Sequence, residues 1–144
     1  MINNVNLEYN DSFIDLGLLV NSNFNNVYKL EELIDSLYDY VFGYFINNQL
    51  VGFIHVSKLY ETLDVVNIVI NPGFRNKGIA TSLLDYSINY FEDIESVMLE
   101  VNEKNIAAIS LYEKNNFKVI NKRNNYYGSD AALIMKRVVE NERC

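Results

Sequence analysis

The residues best suited to chemistry lie in one stretch, Asn71-Pro72-Gly73-Phe74-Arg75-Asn76-Lys77-Gly78-Ile79-Ala80. The apolar run before it stops at Pro72, which cannot continue a strand. A basic turn follows, and a helical pattern (Thr81, Leu83, Leu84, Ile88) begins at once. A strand feeding a basic turn and a helix start makes an anion cradle: the first helical turn carries unpaired N–H groups and the positive end of the helix dipole. Gly78 has no Cβ to keep a phosphate away from the backbone. The chemistry implied is the grip of a phosphorylated ligand. Two common cradles do not match. The phosphate loop of nucleotide triphosphatases needs Gly-Lys-Ser/Thr, whereas Gly78 follows Lys77 and precedes Ile79. The dinucleotide fingerprint needs three spaced glycines after an early strand.

A second candidate is Glu100, in Ser96-Val97-Met98-Leu99-Glu100-Val101. Val97, Leu99 and Val101 take one face of a strand, and Met98 and Glu100 the other. A lone carboxylate in an apolar strand breaks the local pattern, as site residues tend to do. Pattern alone favours a strand-end glutamate in water. His55, the one histidine, stands inside Phe53-Ile54-His55-Val56 and reads as a packed or surface residue. No cluster has metal-ligand spacing, so no metal is expected.

These residues need a scaffold, and 144 residues with 49% hydrophobic content make one domain with a full core. A net charge of -7 excludes a general nucleic-acid binder, which needs a basic footprint. It suits a basic protein or peptide partner. One cysteine, Cys144, rules out an internal disulfide and points to the cytoplasm. No export leader or membrane span is expected. The expected state is a monomer or weak dimer.

Hydrophobic spacing predicts a strand over Val5–Tyr9, a helix from an Asp11-Ser12 cap, and a second helix over Lys29–Tyr40. A hairpin, Val41–Ile46 and Leu50–Leu59, turns at Asn47-Asn48. Leu63–Ile70 is a central strand, Lys77–Phe91 an amphipathic helix, and Ser96–Val101 a strand. Asn105 caps a helix ending at Asn115-Asn116, where asparagine replaces the usual left-handed glycine. Lys118–Lys122 and Ala131–Arg137 close the order, joined by a polar loop holding Tyr126 and Tyr127. The expected fold class is α/β of the mixed α+β kind: one central, mostly antiparallel sheet flanked by about four helices.

Arg75-x-x-Gly78-x-Ala80 resembles the turn of the GNAT superfamily of N-acetyltransferases. A second block, Leu99 to Phe117, and a tail with Tyr126-Tyr127 and Asp130 to Met135 resemble the RimI-type branch. The resemblance covers roughly residues 40 to 137. It implies acetyl-CoA as co-substrate. Its pyrophosphate would lie on the turn Arg75, Asn76, Lys77, Gly78, Ile79, Ala80 and Thr81. Its pantetheine would lie along Ile68, Val69 and Ile70, with Val69 or Ile70 giving an N–H to the thioester oxygen, and against Asn105. Glu100 becomes the general base, partly buried and acting through water, and Tyr112 the acid for the leaving thiolate. The alternative for Tyr112 is core packing. Tyr126 and Tyr127 would line a peptide groove. The implied acceptor is a protein N-terminal amine, with the alanine of a ribosomal protein foremost. Small-molecule amines, internal lysines and a non-catalytic acyl-CoA-binding module are the rivals.

Overall fold

The computed structural model describes residues 1–139; Cys144 lies outside them. Seven strands form one sheet in the order β1-β2-β3-β4-β5-β7-β6. The strands are β1 (Ile2–Asn4), β2 (Asp39–Ile46), β3 (Gln49–Leu59), β4 (Thr62–Ile70), β5 (Ser96–Asn102), β6 (Lys118–Tyr127) and β7 (Asp130–Val138). Only β4 and β5 pair in parallel; the other neighbours are antiparallel. The described residues form five helices, one more than expected: α1 (Asn10–Leu18), α2 (Phe24–Val27), α3 (Leu30–Asp35), α4 (Ile79–Tyr90) and α5 (Ile106–Lys114).

The sheet buries both faces. Leu63, Val65, Val97 and Leu99 pack with Leu83, Leu84 and Ile88 of α4. On the other face Phe53 and Val69 pack with Phe13 and Leu16 of α1, Phe24 of α2 and Leu30 of α3. Leu63 and Val65 thus serve one core while Val69, of the same parity, serves the other. The register explains this. Val56 pairs with Val65 and His55 with Asn67, so Val66 is an unpaired bulge residue. One extra residue swaps the faces of everything beyond it.

Several expectations need correction. The first strand is Ile2–Asn4, and Leu7–Tyr9 is a single 3-10 turn capped by the Asn6 side chain. α1 starts at Asn10 without a side-chain cap. The helix expected over Lys29–Tyr40 is only Leu30–Asp35. The Ser36 hydroxyl accepts from the Tyr38 and Asp39 N–H groups, and its O–H donates to Asp39, so the chain turns into β2 there. Leu37 is 83% exposed as a result. Tyr126 and Tyr127 lie in the end of β6, not in a loop; the turn is shorter, with Gly128 at φ 72°. The hairpin at Asn47-Asn48 and the cap at Asn116 form as read. These residues, with Asn76 and Asn125, have positive φ, so asparagine takes positions where glycine is commoner.

His55 is buried and its Nε2 lies 2.7 Å from Asp39 Oδ1. Burial lowers its pKa, outweighing Asp39, which acts to raise it. The geometry agrees with that direction, because Nδ1 has no partner and a second ring proton would be buried unsatisfied. The unfolded imidazole titrates near 6.5. Below that pH the unfolded chain takes up a proton that the folded chain declines. Folding stability is therefore complete above about pH 6.5 and falls as the solution is acidified from there. Urea midpoints at pH 7.5 and 5.5 should drop more for the native chain than for His55→Gln; equal drops would remove His55 from this pH dependence.

Candidate active site

β4 and β5 pair only from Thr62–Ser96 to Val65–Leu99. Beyond that point, where Val66 bulges, β4 loses its neighbour. The Asn71 N–H donates to Val51 O on β3. Antiparallel alternation then turns the Val69 N–H towards β3 and the Ile68 and Ile70 N–H groups away from it, into the gap. This separates the two oxygen-binding candidates: Ile70 is available and Val69 is not.

A cleft of about 470 Å³ opens on this gap. Ile68, Val69, Ile70, Arg75, Asn76, Gly78, Ile79, Ala80, Thr81 and Asn105 all line it, together with Tyr112. Lys77 does not line it and is exposed. The turn is built by local rules. Asn71 Oδ1 accepts from the Gly73 N–H, starting a 3-10 turn at Pro72. Arg75 Nε donates to Ile70 O at 3.3 Å, which folds the side chain back over the end of β4. Gly78 has φ 78° at the N-cap of α4, with no side-chain cap. A Cβ there would meet nothing within 4 Å. No side chain caps the first amides of α4, and the space beside Gly78 is open.

α5 supplies the far wall. Asn105 Oδ1 accepts from the Ala108 N–H at 3.2 Å, closing the helix cap. Its amide nitrogen has no partner among the described residues, so cap and ligand contact are compatible. Asn115 Nδ2 donates to Thr81 Oγ1 at 3.2 Å and ties the end of α5 to the start of α4. Tyr112 is buried, 7% exposed, with its ring edge-on to Phe117 at 5.7 Å. Packing and cleft lining are thus both true of it. Burial pushes its hydroxyl up to about 12, so it stays protonated at neutral pH.

A second cleft, of about 500 Å³, takes β4 on the other side of the bulge. Glu100, Tyr126 and Tyr127 line it, with Tyr28, Asp64 and Arg123. Val97, Leu99 and Val101 are buried while Glu100 faces outward, as the alternation predicts. The Glu100 side chain is 35% exposed, and Arg123 Nη1 lies 3.0 Å from its Oε1. Arg123 also sits 5.6 Å over the Tyr126 ring, which stands edge-on to Tyr127. Partial desolvation, then the charges of Glu100 and Tyr126, raise the Tyr127 hydroxyl. Partial desolvation, then Glu100, raise the Asp64 carboxyl. His55 lines neither cleft.

Residues 10–117 match the Acetyltransferase (GNAT) family. The chain belongs to the GNAT acetyltransferase family. Among its relatives, the N-alpha-acetyltransferase of Saccharolobus solfataricus is 36% identical over 104 residues, 67% of this chain and 62% of that one. The ribosomal protein bS18-alanine N-acetyltransferase of Escherichia coli is 30% identical over 95 residues, 62% of this chain and 64% of that one. The matched stretch thus spans under two thirds of either relative. The PaiA N-acetyltransferase of Thermoplasma acidophilum, solved with coenzyme A, has the same fold, with a TM-score of 0.82 at 22% identity over 96% of this chain and 98% of that one.

Within this GNAT chain, three cleft residues escaped sequence reasoning. Asp64 carried a usable signal: like Glu100, it is a lone carboxylate in an apolar strand. Arg123 stands three residues before the tyrosine pair, and nothing in its neighbourhood marks it. Tyr28 follows α2, whose start at Asn23 has no side-chain cap to reveal it. Among the described residues no group of His, Cys, Asp and Glu could hold a metal. No described helix is long and apolar enough to cross a membrane.

Proposed function

We propose that the chain is an acetyl-CoA-dependent N-acetyltransferase acting on a protein N-terminal α-amine. The observation that carries this reading is the pair of clefts meeting β4 at residues 68–70 and 64–66, one for each substrate. Coenzyme A is the fitting occupant of the first: free α4 amides for its diphosphate, Ile68 and Ile70 edge groups and the Asn105 amide for its pantetheine. The second takes the acceptor, with Tyr126 and Tyr127 along the peptide and Glu100 towards the amine. The printed names of the two relatives favour an α-amine, and the E. coli relative favours an alanine of a ribosomal protein. The acidic chain suits such a basic partner, and we place the reaction in the cytoplasm.

The amine attacks the thioester carbon directly, forming the C–N bond as the C–S bond breaks. The Ile70 N–H faces the carbonyl oxygen. Glu100 receives a proton from the amine. Tyr112 meets the leaving sulfur. With a pKa near 12 against roughly 8.5 for an ordinary thiol, its proton stays mostly with oxygen, so it acts by donating a hydrogen bond to the developing thiolate.

The test is CoA release from acetyl-CoA with peptides that vary only in their first residue. A preference for alanine or another small residue is expected, with an N-terminally blocked peptide inert. Indifference to the first residue, or acetylation of a lysine side chain in the blocked peptide, would defeat the α-amine reading. Binding of CoA with no release for any amine would make the chain a non-catalytic acyl-CoA module.

A further inference from the structure

We infer that His55 and Asn67 hold one sealed water between them, and that this clamp is a positioning unit: it fixes the β4 bulge and, through it, the Ile70 N–H that faces the thioester. The link to the thioester rests on the acetyltransferase reading above. His55 on β3 and Asn67 on β4 are directly opposed in the register, and the irregularity begins at the very next pair, where Val56 meets Val65. Opposed residues of an antiparallel pair carry their side chains on one face, with Cβ atoms about 5 Å apart. These two side chains hold the only buried polar atoms without a hydrogen-bond partner among the described residues, His55 Nδ1 and Asn67 Nδ2. Neither residue lines the cofactor cleft or the cleft assigned to the acceptor.

The two orphan atoms are complementary. Asp39 Oδ2 accepts from the Ser36 O–H, and Asp39 Oδ1 lies 2.7 Å from His55 Nε2. A carboxylate only accepts, so Nε2 carries the ring proton and Nδ1 is left as a bare acceptor. Burial lowers the pKa of the ring, which favours that neutral form. Asn67 Nδ2 is a donor on the opposed residue, yet the two nitrogens do not bond to each other. A water satisfies both at once, accepting from Nδ2 and donating to Nδ1. Its second hydrogen has a taker in the backbone of the bulge, where the ladder to β3 is broken at Val66. Tyr28 stands edge-on to the His55 ring at 5.7 Å and screens it from the acceptor cleft, which Tyr28 lines. Asp39 and Tyr28 are the titratable groups that meet the ring. The clamp matters because a bulge is a choice of register, and a slip of one residue turns every following side chain to the other face. A water bonded to both strands ties Asn67 to β3 at the first regular pair after the bulge. Ile68 and Ile70 then keep their N–H groups turned into the gap. The chain from Ser36 through Asp39 and His55 to Asn67 crosses β2, β3 and β4, so the turn after α3 braces the same point.

Two measurements test this. The first needs no turnover: a high-resolution crystal structure of the native chain should show one water within hydrogen-bond distance of both nitrogens, and in Asn67→Leu that water should be gone. A direct bond between the two nitrogens, or no water between them in the native chain, overturns the proposal. The second is kinetic, at a temperature where circular dichroism shows each variant folded. Asn67→Leu should lower kcat for peptide acetylation about tenfold or more, the usual cost of a reacting group misplaced from a distance. The Kd for CoA should stay nearly unchanged, because the diphosphate turn is untouched. Asn67→Ser keeps a donor and should recover much of kcat. An unchanged kcat in Asn67→Leu, an equal loss in Asn67→Ser, or a loss carried by CoA binding alone overturns the proposal. Should Asn67→Leu not fold, the native structure and Asn67→Ser still decide. Failure of the acetyltransferase reading looks different: the native chain would then release no CoA from any amine, with the water still in place.

Discussion

Gly78→Val should lower the affinity for CoA at least about tenfold while leaving the chain folded. Two separate costs combine. At φ 78° an L-residue is strained by about 1–2 kcal/mol, and more for a β-branched one, so the turn relaxes away from its present path. The space a Cβ would enter is open, with no atom within 4 Å, and is the space a phosphate needs to reach the α4 amides. The new side chain therefore disturbs the backbone and fills the cradle. Folding should survive because Gly78 is exposed and the core residues of α4 (Ile79, Leu83, Leu84, Ile88) are untouched. Calorimetry with CoA, beside circular dichroism of the same preparation, separates the two effects. Unchanged affinity in a folded variant would mean that the diphosphate does not lie on this turn.

Glu100→Gln should cut kcat roughly 10²- to 10³-fold, the usual worth of a positioned general base. Glutamine keeps the size and one acceptor oxygen but cannot take a proton. The change also releases Arg123, whose side chain is 54% exposed and readily solvated, so little stability is lost. Glu100→Gln should depress kcat at every pH, because even a neutral amine must shed a proton as it becomes the amide. Activity of Glu100→Gln equal to the native chain across pH would take Glu100 out of the mechanism. A rise in KM without a fall in kcat would make it a binding residue only.

The cradle was legible in the sequence because all its determinants are local. Pro72 ends a strand, Gly78 tolerates a left-handed φ, and Ile79 starts an amphipathic helix; each acts within a few residues of itself. Asn105 and Asn116 were legible for the same reason, as the cap and the left-handed stop of α5. The outward face of Glu100 followed from strand alternation alone. The helix expected over Lys29–Tyr40 failed where a longer-range contact prevailed: Asp39 is claimed by His55 on β3 and by Ser36, so β2 takes residues whose apolar spacing reads as helical.

The composition of the proposed acceptor cleft was a tertiary decision. Asp64, Glu100, Arg123 and Tyr28 come from four separate stretches, and no spacing rule relates them. They meet because a single bulge at Val66 ends the pairing of β4 with β5 and because β6 is placed beyond β7. Register between distant strands is set by the packing of whole faces, so one chain segment does not encode it. The sequence by itself therefore determined the local turn, Pro72 to Ile79, on which a phosphorylated ligand is proposed to lie. Which side chains would share the second cleft, and that Arg123 would pair with Glu100, was settled only when the sheet closed around its own split.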